Sequence, residues 1–268
     1  MIEKFGIFIR SIGERTENLT YESCLQGVDE KNIHIIKDFC PAWKAYEKMF
    51  NVANTIGYDI FLGIDADIVL KENWLSIVDK KFKSINNEDF FVITFHMNDP
   101  FIGNVDRGNH FYNGKYSGDA LHILKTVTWK TLKPESFIRY YIDAKTFVFD
   151  DIIGYHGFEQ YYRDIFYRFW LQYKRNHSEL IKKQLFGEKK IISDDLRVAR
   201  AGWNKSKKEF IKNILTNKLK ILNINPNNKD KIFFEKYLQK LECNEKVHFS
   251  KSLLQFYEER SKSEKNIV

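Results

Sequence analysis

Asp65 and Asp67, separated by one residue, follow the apolar residues FLGI in the segment FLGIDADIVL. The apolar residues before them predict a buried strand over residues 58–64. Ligands of open α/β sheets bind outside the carboxyl ends of the strands, so this is where a site is expected. Hard cations such as Mg²⁺ and Mn²⁺ take oxygen ligands from a few carboxylates and from substrate phosphates. The pair therefore indicates a divalent-metal site that also holds a diphosphate.

A histidine far along the chain is a further candidate ligand. Glycines stand on both sides of the Tyr155-His156 pair, which predicts an exposed, tightly turning loop that leads into a helix. Imidazole is an acceptable ligand for Mn²⁺ beside carboxylates, and a purely structural role for His156 is the alternative. Weaker candidates of the same kind are His96, His110 and His122.

Strand-like and helix-like segments alternate over the first hundred residues, as in βαβ units around a mainly parallel sheet flanked by helices. The predicted strands include residues 5–10, 32–37, 58–64 and 89–95, and the predicted helices cover 16–25, 41–55 and 72–82. The segment 96–116 is polar and predicts a loop. Beyond it, residues 120–125 and 143–149 each predict a short strand.

Helical periodicity dominates beyond residue 158, and the charge of the chain is concentrated at its end. The 268 residues carry a net charge of +7, and residues 203–268 hold fifteen Lys and Arg against eight Asp and Glu, which is the whole excess. We therefore divide the chain into an α/β domain over residues 1–175 and a basic helical C-terminal extension over residues 176–268. Such an extension is either a solvated face or a surface for an anionic membrane or nucleic acid.

Composition excludes several classes of protein. Hydrophobic residues make up 43% of the chain and charged residues 29%, which excludes disordered and collagen-like chains. The three cysteines are widely spaced and form no CxxC pair, which predicts a reducing compartment. We recognise neither a signal peptide nor a membrane-spanning segment and expect a cytoplasmic protein, with peripheral attachment to the inner membrane face left open.

The DxD segment, preceded by a helix and two strands and followed by a helix, resembles the metal-binding motif of nucleotide-sugar-dependent glycosyltransferases with the GT-A fold, of the family-2-like type. The order of elements from Phe5 to about Arg175 is similar to that of the family. The resemblance implies a Rossmann-like GT-A domain in which residues 1–100 bind the nucleotide sugar and residues 100–175 form the acceptor side. It also implies Mn²⁺ or Mg²⁺ as cofactor, held by Asp65, Asp67 and His156.

The activity that this resemblance implies is transfer of a sugar from a nucleoside-diphosphate sugar, with UDP expected, to a hydroxyl acceptor. A glycan or a lipid-linked acceptor is expected, in the synthesis of microbial surface glycans. In this family the loop after the first strand contacts the nucleotide, and a position just past the second strand contacts the base or ribose. Two arginines near phosphate fit this role because guanidinium groups bind phosphate well. The implied nucleotide-binding residues are Arg10, Ser11, Gly13, Arg15, Asp38, Lys44 and Asp65.

An inverting member of the family also needs a carboxylate that removes the acceptor proton, and this base lies well downstream of the DxD motif. In a retaining enzyme the same acids would instead position the acceptor or the donor sugar. The candidates are Asp150, Asp151, Glu159 and Asp119, of which Asp151 is favoured.

Aromatic residues offer a second hypothesis about the acceptor. The loop around Tyr112 and Tyr116 is expected to form the acceptor surface, whereas the helical spacing of the aromatic residues over 162–173 predicts a stripe packed in a core. Three other functions stay open: a nucleotidyltransferase of similar α/β fold, a DNA-modifying glycosyltransferase, and a nucleic-acid-binding protein that uses the basic tail.

Overall fold

The computed structural model describes residues 4–39, 42–85, 89–99, 101, 103–105, 109–126, 134–157 and 194–215, with isolated positions between 160 and 187. The contacts divide the chain into two compact units. The first contains the described residues up to 99 and from 104 to 157. The second contains residues 101 and 103 and the described residues from 160 to 215.

An eight-stranded mixed β-sheet forms the centre of the first unit. Its strands are β1 (Phe5–Ser11), β2 (Ile33–Lys37), β3 (Ile60–Asp65), β4 (Ile68–Leu70), β5 (Phe90–Asp99), β6 (Gly103–Val105), β7 (Asn109–Asn113) and β8 (Lys145–His156). They follow the order β2-β1-β3-β7-β5-β8-β4, with β6 paired to β5 outside it. Strand β1 is parallel to β2 and β3, and β5 is parallel to β8, whereas β7 is antiparallel to β3 and β5, and β4 to β8.

Helices cover both faces of this sheet, which confirms the predicted α/β fold. They are α1 (Glu17–Leu25), α2 (Ala42–Ile56), α3 (Trp74–Ser84), α4 (Ser117–Thr126) and α5 (Pro134–Tyr141). Side chains of a strand point alternately to the two faces. Accordingly, Ile7 and Ile9 of β1 pack with residues of α1 and α3, whereas Phe8 packs with residues of α2, α4 and α5.

The structure corrects two predicted elements. Residues 120–125 belong to helix α4 and not to a strand, because Ala120, Leu121 and Leu124 bury one helical face in the same core as α2. The predicted loop over residues 96–116 contains the end of β5, the short β6 and the whole of β7. Polar residues concealed these strands, since Asn109 and His110 are buried in β7. The side-chain amide of Asn109 accepts a hydrogen bond from the N–H of Phe95 and donates one to its C=O, which replaces a backbone pairing between the strands.

The second unit is mainly helical where it is described. Its long helix is α6 (Asp194–Leu215), and Gly202 of this helix lies so close to the carbonyl of Phe166 that any side chain there would overlap it. The predicted aromatic stripe is confirmed at its described positions, where Phe166, Phe169, Trp170 and Tyr173 are buried. Residues 216–268, which carry most of the predicted basic extension, lie outside the described residues.

Among the described residues, we find no helix whose length and apolar character would let it span a membrane.

Candidate active site

Five strands of the first unit end at one edge of the sheet. Because β7 runs antiparallel to both β3 and β5, those two strands are parallel to each other, and β8 shares their direction. The DxD segment follows β3 at this edge, and β4 starts there with Ile68 opposite His156. The residues that end the five strands are Ser11, Lys37, Asp65, Asp99 and His156.

The middle residue of the DxD segment fixes the backbone between the two carboxylates. Ala66 is fully buried, and its N–H donates to the carbonyl of Arg10 at 2.9 Å. Its own carbonyl accepts hydrogen bonds from the hydroxyls of Thr16 at 2.8 Å and Thr20 at 2.9 Å. The segment is thus bound to β1 and α1, which leaves Asp65 and Asp67 on either side of a rigid peptide.

Arg10 binds the first carboxylate of the pair. Its guanidinium contacts Asp65 Oδ1 through Nε at 2.9 Å and through Nη2 at 2.8 Å, and it lies 4.4 Å from the centre of the Tyr46 ring. Gly63 makes the space, because a Cβ there would stand 2.8 Å from Nη1 of Arg10. Burial opposes the charge of Arg10, but the charge and hydrogen bond of Asp65, together with Tyr46 and Tyr112, outweigh it and hold the pKa of the guanidinium above its usual range.

His156 joins the second carboxylate of the DxD to another aspartate. Its Nε2 lies 3.5 Å from Asp67 Oδ2, and its Nδ1 lies 2.8 Å from Asp99 Oδ2. The Asp99 side chain is 0% exposed, and the Asp67 side chain is 25% exposed. His156 is the last residue of β8 and not part of a turning loop as predicted, while Gly157 turns with φ +69° and donates its N–H to Asp67 O at 2.8 Å.

The loop after β1 carries an additional acid near the DxD. Glu14 accepts hydrogen bonds from the N–H of Ile12 at 2.8 Å and from the hydroxyl of Ser11 at 3.0 Å. Burial of this carboxyl, together with the negative charge of Asp67, raises its pKa to about 8. Ser11 is buried and also contacts Glu17, so its hydroxyl serves the loop itself.

The predicted nucleotide-binding residues lie at the edge of the sheet that carries the DxD segment, in different environments. Arg10 and Ser11 lie in β1 and not in the loop after it, whereas Gly13 and Arg15 are exposed in that loop. Gly13 has φ +91°. Lys44 is exposed on α2.

Asp38, which follows β2, has an unusual backbone conformation. Its φ is +62°, a left-handed conformation that aspartate tolerates better than most residues and that often marks a functional position. Its N–H donates to the carbonyl of Ser11 at 2.9 Å, which ties the loops after β1 and β2 together. The side chain is exposed at the edge where a nucleotide is expected.

The predicted catalytic acids are dispersed. Asp119 begins α4 beyond the far end of β7, at the edge opposite to the DxD, which argues against it as a base.

Asp150 and Asp151 form an irregularity in β8 between the residues that pair with Phe95 and His96. Asp151 stands five residues before His156, about 15 Å along the strand, and it pairs with Lys81 at 2.8 Å. Glu159 lies outside the described residues.

Other predicted site residues lie away from the DxD or in the core. Tyr112 is fully buried among aromatic rings, so it offers no acceptor surface, and Tyr116 bonds Asp89 at the opposite edge. His96 lies 3.6 Å from Asp150. His110 is buried in the core, and burial together with the charges of Arg10 and Arg139 lowers its pKa well below the usual value. His122 is exposed on α4.

Asp67 and His156 are suited to hold a divalent cation together. A neutral imidazole nitrogen and a carboxylate oxygen 3.5 Å apart are two electron-pair donors that face each other, which is favourable only with a proton or a cation between them. In the described part of the chain no three His, Cys, Asp or Glu side chains group closely enough to hold a metal ion alone. The donors therefore fit an ion that completes its coordination with phosphate oxygens and water, as Mg²⁺ commonly does.

Sequence reasoning missed Asp99 and Glu14. The rule that identified Asp65, a carboxylate at the end of an apolar strand, also applies to Asp99, but the strand was predicted to stop at Phe95. Glu14 follows the first strand by three residues, and no sequence signal separates it from a solvated loop acid.

No family model matches the sequence, and no curated protein matches it. It is similar to a crystal structure of S. aureus TarS 1-349, with 12% identity, a TM-score of 0.46, and coverage of 81% of this chain and 76% of that one. It is also similar to a glycosyltransferase involved in the glycosylation of the major capsid of PBCV-1, with 12% identity, a TM-score of 0.41, and coverage of 59% and 95%.

A third similar structure is a 4-diphosphocytidyl-2C-methyl-D-erythritol synthase from Anaerococcus prevotii, with 7% identity, a TM-score of 0.40, and coverage of 55% and 89%. A glycosyltransferase and a diphosphocytidyl-methylerythritol synthase thus occur side by side among the similar structures.

Proposed function

We propose that the protein is a metal-dependent glycosyltransferase that takes a sugar from a nucleoside-diphosphate sugar, with UDP as the nucleotide, to a hydroxyl acceptor. The observation that carries this proposal is the contact of His156 with Asp67, 89 positions earlier in the chain, at the carboxyl edge of the sheet. A DxD motif alone is a common turn sequence. Histidines that bind metals usually donate their other ring N–H to a carboxylate, so an imidazole held by a buried aspartate and facing the second DxD carboxylate supports a metal at this site.

Asp67 and His156 would hold the divalent cation, and Asp65 would stand beside it. When bound, the cation neutralises charge on the diphosphate, both as part of the donor and as the leaving group. The Ala66 peptide, bound by Arg10, Thr16 and Thr20, keeps the two carboxylates in place before the donor arrives. Such preorganisation removes the cost of arranging charges during the reaction.

The loops after β1 and β2 would receive the nucleotide. The hydrogen bond between Asp38 and Ser11 joins them, and the left-handed backbone at Gly13 and Asp38 opens both loops at the edge. Arg15 and Lys44 are exposed cations of this region and would face phosphate or base. Arg10 has a different role, because its guanidinium is already engaged by Asp65.

Glu159 is our choice for the base of an inverting reaction. It follows His156 by three residues in the chain. A general base must come within hydrogen-bond reach of the acceptor hydroxyl. Asp151 forms an ion pair with Lys81 and lies farther from the DxD edge along β8. Asp119 lies at the opposite edge.

The acceptor side of the proposal rests on charge. The excess of basic residues over 203–268 favours an acceptor at an anionic surface, such as a lipid-linked or surface glycan built at the inner face of a membrane. Nucleic acid is the alternative anionic partner. Falling affinity for anionic vesicles with rising salt, and no comparable affinity for DNA of equal charge, would support the membrane.

A thermal-shift panel tests the donor and the metal. UDP, UDP-sugars and CTP are each added with and without Mn²⁺, and a ligand that binds only the native state raises the melting temperature. We expect the largest Mn²⁺-dependent shift with UDP or a UDP-sugar, and its loss in Asp67→Asn. Asp89→Asn, which removes a carboxylate at the opposite end of β5, is the matched control and should keep the shift.

Two results would overturn the proposal. The first is an Mn²⁺-dependent shift that survives in folded Asp67→Asn. The second is a shift specific to CTP with release of pyrophosphate on turnover, which would assign the site to nucleotidyl transfer.

A further inference from the structure

Asp99 is a buried carboxylate for which the proposed reaction has no direct task. Its side chain is 0% exposed and lies at the end of β5, a strand whose residues are mostly buried. A carboxylate buried in this way is retained only when it is paired and hydrogen-bonded. Its Oδ2 lies 2.8 Å from His156 Nδ1.

This hydrogen bond determines which nitrogen of His156 faces the DxD. An ionised carboxylate only accepts hydrogen bonds, so Nδ1 must carry the proton. The lone pair of a neutral imidazole is then on Nε2, which is the atom 3.5 Å from Asp67 Oδ2. Asp99 therefore directs the electron pair of His156 toward the second DxD carboxylate.

The two strands that carry this pair are neighbours, which makes the arrangement rigid. Strands β5 and β8 are parallel, with Asn98 opposite Tyr155 in the ladder, so Asp99 and His156 are adjacent along the edge. The antiparallel pairing of Ile68 with His156 brings β4, and with it Asp67, to the other side of the ring. Asp99 and His156 are the last residues of their strands, and Asp67 lies in the two-residue turn between β3 and β4.

We propose that Asp99 is a positioning residue that holds His156 as a ligand for the divalent cation of the DxD site. This inference rests on the proposed metal dependence of the function. Asp99 itself touches neither the cation nor the substrate. Carboxylates that bind the far nitrogen of a metal-ligating histidine fix its tautomer and ring orientation, and their loss typically weakens metal affinity 10- to 100-fold.

The test measures Mn²⁺ affinity without turnover, from the electron paramagnetic resonance signal of free Mn²⁺ titrated with protein, alone and with UDP. The variants are Asp99→Asn, His156→Ala, their combination, and Asp67→Asn, with Asp89→Asn as the control. The substitution Asp99→Asn keeps the shape of the side chain and removes its charge. We expect it to weaken Mn²⁺ binding about 10- to 100-fold, and to have no further effect in the His156→Ala background because it acts only through the ring.

The outcomes separate this inference from the proposed function. Unchanged Mn²⁺ affinity in Asp99→Asn, when His156→Ala and Asp67→Asn weaken it, would overturn the role of Asp99 alone. Equal losses from Asp99→Asn with and without His156 would also overturn it, since a purely structural aspartate acts in both backgrounds. Wild-type affinity in His156→Ala and Asp67→Asn would instead overturn the proposed metal site.

A measurement on the unmodified protein keeps the inference testable if Asp99→Asn does not fold. Nitrogen-15 spectra of labelled imidazoles distinguish the two neutral tautomers at alkaline pH, and His156 is assigned by the signal that His156→Ala lacks. We expect the proton on Nδ1 without metal, and a shift of the Nε2 signal when diamagnetic Mg²⁺ is added. A proton on Nε2 would overturn the role of Asp99.

Discussion

Arg10 and Asp65 are joined at a single oxygen by one hydrogen bond from Nε and one close ion-pair contact from Nη2, and one member of the pair is buried while the other reaches solvent. The Arg10 side chain is 7% exposed and the Asp65 side chain 43%. Asp65 is therefore both a member of the DxD segment and the counterion of a cation in the core. The two roles make substitution of Asp65 an ambiguous test of metal binding, and Asp67 the better probe.

The Arg10 and Asp65 pair should respond unequally to removal of either partner. Asp65→Asn leaves a buried guanidinium without its counterion and should lower the free energy of unfolding by about 3–5 kcal/mol. Arg10→Met leaves a carboxylate that water reaches, so we expect a smaller loss of about 1–3 kcal/mol. Urea unfolding of both variants and of the double variant measures this. A double variant less stable than Asp65→Asn would contradict the explanation.

The two threonine hydroxyls on the Ala66 carbonyl should show a non-additive effect. Thr16→Val or Thr20→Val removes one hydrogen bond and leaves the other, so each should cost about 1 kcal/mol. Both together leave a buried carbonyl with neither hydroxyl donor, and the combined loss should exceed the sum. Urea unfolding of the single and double variants provides the double-mutant cycle. Simple additivity would show that the carbonyl finds another donor.

Glu14 should make stability depend on pH. Its pKa is raised from 4.5 to about 8 in the folded protein, so between these values the native state holds a proton that the unfolded chain has released. Stability therefore falls as pH rises through this window. Glu14→Gln lacks this proton, so the variant should gain stability relative to wild type as pH rises from about 5 to about 8.

The comparison of wild type with Glu14→Gln removes the contributions of all other titrating groups. Urea unfolding at intervals of about one pH unit gives the difference directly. A constant difference between the two proteins over this range would show that the Glu14 carboxyl titrates alike in the folded and unfolded states.

The candidate bases should separate by turnover. Glu159→Gln should lower kcat by roughly 10²- to 10⁴-fold while donor binding is kept, as expected for loss of a general base. Asp151→Asn removes an ion pair with Lys81 that is partly exposed on both sides, and Asp119→Asn removes a helix-start acid at the opposite edge, so neither should change kcat. Release of UDP from the donor identified by thermal shift provides the assay. A loss of kcat in Asp151→Asn alone would instead identify Asp151, which the sequence favoured, as the base.

Local patterns of the sequence were sufficient for β1, β2, β3, α2 and the DxD. Residues 60–64 of β3 are buried without interruption because this is a central strand covered on both faces, and the carboxylates follow at the first less buried position. The α/β class, the flanking helices and the edge that carries the site all follow from such periodicity. His156 was identified as a candidate from its residue type, although its environment was predicted to be a loop.

These local patterns did not predict how the strands pair across the sheet. Residues 120–125 are a short apolar run that suits a strand as well as a helix, and only the core shared with α2 makes them helical. Asp119 was a candidate base in sequence, but the antiparallel direction of β7 carries it to the edge opposite to the DxD. Strand direction is a property of the sheet and leaves no mark on a single segment.

The sequence by itself determined that two carboxylates follow a buried strand, because burial and alternation are written in the neighbouring residues. Only the tertiary structure decided what each carboxylate meets: Asp65 meets Arg10, 55 residues earlier, and Asp67 meets the ring of His156, which Asp99 binds from its other side. Partners so far apart in the chain come together through the parallel register of β1 with β3 and of β5 with β8, and through the antiparallel register of β4 with β8. Hydrogen bonds and ion pairs depend on distances of a few ångströms in space, and no spacing along the chain specifies those distances.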